Sequence, residues 1–244
     1  MALAPRSAGR NGLRCFYPLQ NAVLRMRLPA LILLGMEKHL SVATMRMLGG
    51  HPGLDLANTV DCRHGRFGPD LLTSYVDLVE WAQRAGLLGA GAAARLREWS
   101  AQHPEDAEAT LRRAKDLREA LYRVFSALAS GAEPSLPDLE RIGDEARRAQ
   151  AQRRLARTAS GYAWIWPNDA PDALVGRLAH DAAELLTTPR LGRVKECFGP
   201  HCGWLFLDTS RNGSRRWCSE EGCGTRIRVA RHRARTRQHP SEAG

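Results

Sequence analysis

"ECFGPHCGWLFLDTSRNGSRRWCSEEGCGTRIRVARHRARTR", from Glu196 to Arg237, holds four of the chain's six cysteines and nine of its arginines. Four residues separate Cys197 from Cys202, four separate Cys218 from Cys223, and fifteen lie between the two pairs. Such a pair lets one turn present both sulfurs, and four thiolates close a tetrahedron around Zn²⁺. Gly199-Pro200 in the first pair and Gly222 in the second favour tight turns. The spacing therefore predicts one structural zinc on Cys197, Cys202, Cys218 and Cys223. It leaves no open position for a catalytic water. A thiol-redox pair would be spaced by two residues, which speaks against that chemistry. Between the pairs, "WLFLD" and "RRWC" read as the two strands of a hairpin around the turn-rich "TSRNGS". The second ligand pair then opens a helix. This is a treble-clef-like layout, in which the metal replaces a core that so short a segment cannot build.

Beyond Cys223, arginines stand at 226, 228, 231, 233, 235 and 237, and no acid appears before Glu242. Ile227, Ala230 and Ala234 make a narrow apolar stripe expected to rest on the hairpin. The other faces all carry guanidinium. Like charges one turn apart weaken a helix, and phosphates would relieve that repulsion while counterion release supplies affinity. Arg211, Arg215 and Arg216 on the preceding loop extend the patch. The expected nucleic-acid contacts are thus Arg211, Arg215, Arg216, Arg226, Arg228, Arg231, Arg233 and Arg235.

Charge along the rest of the chain supports this division. The formal net charge is +10 over 244 residues. Residues 1–46 carry seven Lys/Arg and one acid, residues 47–189 seventeen and twenty, and residues 190–244 twelve and five. An ordinary, slightly acidic middle is flanked by basic ends, and a strongly basic balance suggests a polyanionic partner. No apolar run is long enough to span a bilayer. "LPALILLGM" (28–36) follows several arginines like a signal-peptide core, but it is short, contains Pro29 and precedes no small-residue cleavage site. The expected location is the cytoplasm.

The expected organisation is a basic extension over 1–46, a helical domain over 47–189, the finger over 190–238 and a tail over 239–244. Helical spacing predicts a helix after Ser74 that Gly86 stops, a second near 92–101, and a third from Pro104 to Gly131. A fourth opens at "SLPD", capped by Ser135, and a fifth runs from Pro171 to Leu186. "RRLARTASGYAWIWP" changes period and reads as a hairpin turning at Ser160-Gly161, and "TTPRLGR" reads as a linker. The fold class is mainly α with a small β-hairpin or sheet.

At this point the residues resemble a known family. "CFGPHCGWLFLDTSRNGSRRWCSEEGCGTR" is similar to the CGNR zinc finger, a bacterial C-terminal module. "GGHPGLDLANTV" and "LLTSYVDLVEWAQRAGLL" resemble the ABATE domain that precedes it. The resemblance implies a stress-induced transcription regulator. One departure is visible: Thr225 stands where the family's name-giving tetrapeptide has Asn. If that Asn caps the helix, Thr225 serves nearly as well. If it contacts a base or takes a left-handed backbone, the β-branched Thr225 is a poor substitute.

The function expected from all this is a DNA-binding regulator, with the finger presenting an arginine helix and the middle domain acting as sensor or dimerisation unit. DNA, a homodimer and a small-molecule effector are the expected partners, with no membrane. The Leu111–Leu128 stripe is the segment expected to supply the dimer interface. Gly50, Asp55 and Asn58 form the expected lip of an effector pocket, since glycines allow close backbone approach. The alternative is a zinc-finger adaptor that docks on an acidic protein without touching DNA. An enzyme is not expected, for no nucleophile–base pair, phosphate loop or open metal site is visible.

Overall fold

A computed structural model describes residues 40–64, 68–167 and 170–238. Most of the expected extension, the 28–36 run and the tail lie outside these. One part of the extension does not fit the expectation. Val42 and Met45 are buried in the main core, and the Arg84 guanidinium donates to both their carbonyls. Residues 40–46 therefore belong to the folded domain, because apolar side chains at 42 and 45 reach a core that local sequence could not reveal.

The short helix α1 (Pro52–Ala57) starts where the His51 ring accepts a hydrogen bond from Gly53 N at 3.1 Å. In α2 (Tyr75–Arg84), Ser74 and Asp77 form a capping box. Then come α3 (Ala90–Gln102) and α4 (Pro104–Ala129), the latter opening on Pro104, Glu105 and Asp106 at its positive end. After α5 (Leu136–Gln152) the chain forms an antiparallel hairpin, β1 (Arg154–Thr158) with β2 (Gly161–Ile165), and returns as α6 (Ala173–Leu186). Leu111, Leu117, Leu121, Val124 and Phe125 of α4 are all inside, packed among α1, α2, α3, α5 and α6. The α4 stripe expected to make a dimer interface is thus the domain's own core. A helix surrounded by five others has no apolar face to offer.

The expected linker is a 3₁₀ turn (Pro189–Arg193) that leads straight into β3 (Val194–Glu196). This strand pairs antiparallel with β4 (Leu205–Leu207), matching Val194 to Leu207, Lys195 to Phe206 and Glu196 to Leu205. The pairing differs from the expected "WLFLD"/"RRWC" hairpin. Alternation explains it: Val194, Leu205 and Leu207 enter the helical core, while Phe206 between them faces the cysteines. "RRWC" is held off the sheet by the turn that Asp208 organises. The Asp208 carboxylate accepts from Lys195 Nζ (2.7 Å), Ser210 Oγ (2.6 Å), Ser210 N (2.9 Å) and Arg215 N (3.0 Å). Burial alone would raise that carboxyl's pKa, but these donors together hold it well below the usual carboxylate range. A wide single turn (Glu220–Gly224) leads into α7 (Thr225–Gln238).

Candidate metal centre and its arginine face

The four cysteines expected as ligands converge. All their sulfurs lie within 4.8 Å of one another, and Cys218 Sγ is 3.7 Å from both Cys202 Sγ and Cys223 Sγ. A tetrahedral zinc with Zn–S near 2.3 Å requires S···S edges of about 3.8 Å. The residues fit the ion. Cys218 N donates to Cys197 Sγ at 3.3 Å, and Arg226 Nη2 to Cys223 Sγ at 3.1 Å. Such donors favour thiolate over thiol. Hydrogen bonding from Cys202 and Cys218 brings Cys197 down to about 7, and bonds from its neighbour thiols with the Arg226 charge lower Cys223. Four sulfurs this close cannot all be thiolates without a cation between them. A Cβ on Gly199 would stand 3.0 Å from Cys202 Cβ and 3.2 Å from Cys223 Sγ, so the first knuckle needs a glycine there. Trp204, Phe206 and Trp217 pack around the cluster. The centre is closed and structural.

The arginines divide into two groups. Arg215 is part of the fold: its guanidinium lies 4.2 Å from the Phe206 ring and donates to the carbonyls of Trp217 (3.0 Å), Cys218 and Leu48. It is withdrawn from the expected contact set, because its donors are spent on backbone that would otherwise be unpaired. Arg226 and Arg228 are anchored at the start of α7, on Cys223 Sγ and on the Glu220 carboxylate (2.8 Å). Arg211, Arg216, Arg231, Arg233 and Arg235 are exposed. The helix stripe does not rest on the sheet as expected. Ile227 is only half-buried, and Val229, Ala230 and Ala234 are exposed, so α7 projects from the finger with no buried face among its described side chains. Thr225 has φ −63 and ψ −44, which excludes a left-handed backbone there. Its hydroxyl donates to Glu220 O at 3.0 Å and accepts from Arg228 Nη2 at 3.1 Å, so it closes the wide turn and steers an arginine. Phe198, which sequence reasoning passed over, is 63% exposed beside the cysteine cluster. Arg216 lies 5.3 Å from its ring and 5.5 Å from that of Trp217. The only signal for Phe198 in the sequence is its place directly after a ligand.

Comparison with family models matches residues 50–189 to ABATE, described as "Putative stress-induced transcription regulator", and residues 193–236 to the CGNR zinc finger. The first match spans more than half of the chain. The chain belongs to the ABATE family. No curated protein matches it.

In the ABATE domain, the stretch expected to rim an effector pocket is instead the seat of the finger. Asn58 is fully buried, donates from Nδ2 to Leu205 O and accepts at Oδ1 from Leu205 N, both at 2.9 Å. Its amide imitates a neighbouring strand along the outer edge of β4, and Gly49 O continues that edge by accepting from Leu207 N at 2.8 Å. Gly50, at φ +68, makes the left-handed turn that brings Gly49 there. The Asp55 carboxylate braces the turn from below, accepting from Gly49 N at 2.7 Å, and burial pushes its pKa up to about 6. The Asn58 amide is thus taken by backbone that the sequence places far away, and the Asp55 carboxylate by backbone six residues before it.

A second contact surrounds Glu196, next to the ligand Cys197. Ser126 Oγ (2.6 Å) and Tyr122 OH (3.3 Å) of α4 donate to it, and the His64 ring meets the same carboxylate. The Arg63 guanidinium lies 4.2 Å from the Tyr122 ring and pairs with Glu119, while Arg63 N donates to Cys202 O at 2.9 Å. Arg63 and Arg118 are buried, and Arg118 forms a bidentate pair with Asp70. These charged residues were not foreseen, because buried ion pairs leave no periodic mark in a sequence. The finger and the helical domain are thus joined at several points, among them Asn58–Leu205, Gly49–Leu207, Glu196–α4 and Arg63–Cys202. Among the described residues no helix is long and apolar enough to cross a membrane.

Proposed function

We propose that this ABATE protein is a non-enzymatic, DNA-binding transcription regulator of the bacterial cytoplasm, and that its finger holds one zinc in order to fix the base of α7. The observation that carries the reading is the exposure of α7. Among the described residues, a helix with guanidinium on every side and no buried face is anchored at its first turn, by Cys223, Glu220 and Thr225. On its own it is opposed by self-repulsion. A duplex backbone removes that repulsion along its whole length, and arginine suits bidentate contact with guanine in the major groove. Arg211 and Arg216 lie on the same finger, and the exposed Phe198 ring adds an apolar contact surface beside them. A single module of this size buries roughly 600–1,000 Å² on DNA, so selecting a site calls for two copies. Stress response and control by a small-molecule effector are part of the reading. An effector would act through the contacts that tie the helical domain to β3 and β4, since a shift of α1 or α4 moves the ligand-bearing strands with it.

The test is fluorescence anisotropy with duplex DNA at several salt concentrations, using zinc-loaded protein. Arg211, Arg216, Arg231, Arg233 and Arg235 on phosphates predict a slope of log K against log salt of about −4 to −5. Absence of binding at low salt would turn the reading to an adaptor that docks on an acidic protein.

A further inference from the structure

The β1–β2 hairpin stands out from the helical core. Every residue of β2 is exposed, and Leu155, Tyr162, Trp164 and Ile165 are 61%, 74%, 57% and 43% exposed. A lone two-stranded hairpin is marginal in water and gains stability from further strands or from cover. Its register sets Leu155 against Trp164 and Arg157 against Tyr162, so these four side chains share one face. The two edges are unlike. β1, "RLART", carries two arginines, whereas β2, "GYAWI", has neither charge nor proline. An edge without such protection is a template for another strand. The Arg153 guanidinium lies 5.9 Å from the Trp164 ring and 5.0 Å from Trp166, which orients the indole without covering it.

Backbone geometry says which strand fits that edge. The two-residue turn Ala159-Ser160 closes on the pair Thr158–Gly161, and hydrogen bonding alternates along an antiparallel ladder from such a pair. Gly161, Ala163 and Ile165 therefore address β1, while Tyr162 and Trp164 turn their N–H and C=O groups outward. Two outward pairs, two residues apart, are symmetric about Ala163.

We propose that β2 pairs with β2 of a second copy of this chain, antiparallel about a two-fold axis at Ala163, to make a four-stranded sheet. This register places Tyr162 opposite Trp164 of the partner subunit, and the reverse, so all four outward N–H groups find carbonyls. It also joins the two aromatic faces into one row, and such a contact is self-complementary as a two-fold interface must be. Tyr162 and Trp164 of the two copies, four aromatic side chains in all, can bury at most roughly 600–1,000 Å². A stable interface typically buries at least about 1,200 Å². The dimer is accordingly weak in free solution and strengthened when both copies sit on one duplex, which raises their effective concentration. That strengthening rests on the DNA reading above; the pairing itself does not.

The experiment is sedimentation equilibrium of the full zinc-loaded chain over a concentration series from micromolar upward, for wild type, Y162K/W164K and Y162E/W164K. These positions are exposed, so circular dichroism and zinc content should match wild type. Wild type should show a concentration-dependent monomer–dimer equilibrium. Y162K/W164K, which sets like charges opposite each other, should remain monomeric, and Y162E/W164K, which sets opposite charges across the axis, should dimerise again. A wild type that is monomeric throughout, a Y162K/W164K that dimerises as well as wild type, or a Y162E/W164K that stays monomeric would each overturn the proposal. DNA binding is measured separately on the same samples. Its absence with the dimer intact would count against the DNA reading alone, and its presence without any dimer against the pairing alone.

Discussion

Replacing Asn58 by alanine should loosen the finger from the helical domain, although Asn58 lies more than a hundred residues from any metal ligand in sequence. In the folded chain its amide serves both the N–H and the C=O of Leu205 at 2.9 Å, with no exposure to solvent. Alanine leaves both backbone groups buried and unpaired. Each such orphan costs about 1–3 kcal/mol, and the vacated amide volume adds to it. A loss of about 3–5 kcal/mol follows, which for a chain of this size corresponds to a fall in Tm of roughly 8–15 °C. Asn58→Asp should be no better, since a carboxylate still accepts from Leu205 N but sets a second oxygen against Leu205 O and buries a charge. The assay is thermal and denaturant unfolding of both variants, with zinc in equal excess because metal binding adds to folded-state stability. Hydrogen exchange at Leu205 N reports the joint directly. If Asn58 rimmed an effector pocket, alanine would change stability by no more than about 0.5 kcal/mol. A Tm within a degree or so of wild type would refute the reasoning.

Serine at Cys218 should abolish stoichiometric zinc binding, and chelation of wild type should expose residues 209–238 to protease while leaving α2 to α6 folded, because Leu205 and Leu207 stay in the helical core; global unfolding on chelation would contradict that division. Arg215→Ala should lower stability and zinc affinity with little change in the salt slope of DNA binding, whereas Arg233→Ala should reduce the slope by about 1 and leave stability unchanged; the reverse pattern would show the division of arginines to be wrong. His51 caps α1 through a neutral ring nitrogen, and burial, with the Arg190 charge, pushes its pKa down to about 4. A depressed folded-state pKa means that its contribution is present above about 6.5 and lost as pH falls toward 4. His51→Asn, which caps without titrating, should therefore flatten the stability profile across that window by up to about 3 kcal/mol, and parallel profiles would sink the assignment.

Much of this protein is written in local pattern. Ser74 with Asp77, Pro104 with Glu105 and Asp106, and the hairpin, whose turn falls at Ala159-Ser160, one residue before the Ser160-Gly161 expected, are interactions between residues a few positions apart, so helix ends and the hairpin could be placed from the sequence. The four cysteines are likewise readable, because the geometry of a zinc tetrahedron constrains spacing within each pair. The tertiary structure decided what spacing does not constrain. Asn58, Asp55 and Gly50 look like a polar loop until β4 arrives with an unpaired edge to satisfy. Arg215 looks like the other arginines until Phe206 and the carbonyls of Trp217 and Cys218 surround it. β4 chose β3 over "RRWC" because Leu205 and Leu207 gain more by entering the helical core than by staying in a separate finger. Hydrogen-bond satisfaction and burial are settled between distant segments, and a linear pattern records only the demand of each residue for a partner, not which partner meets it.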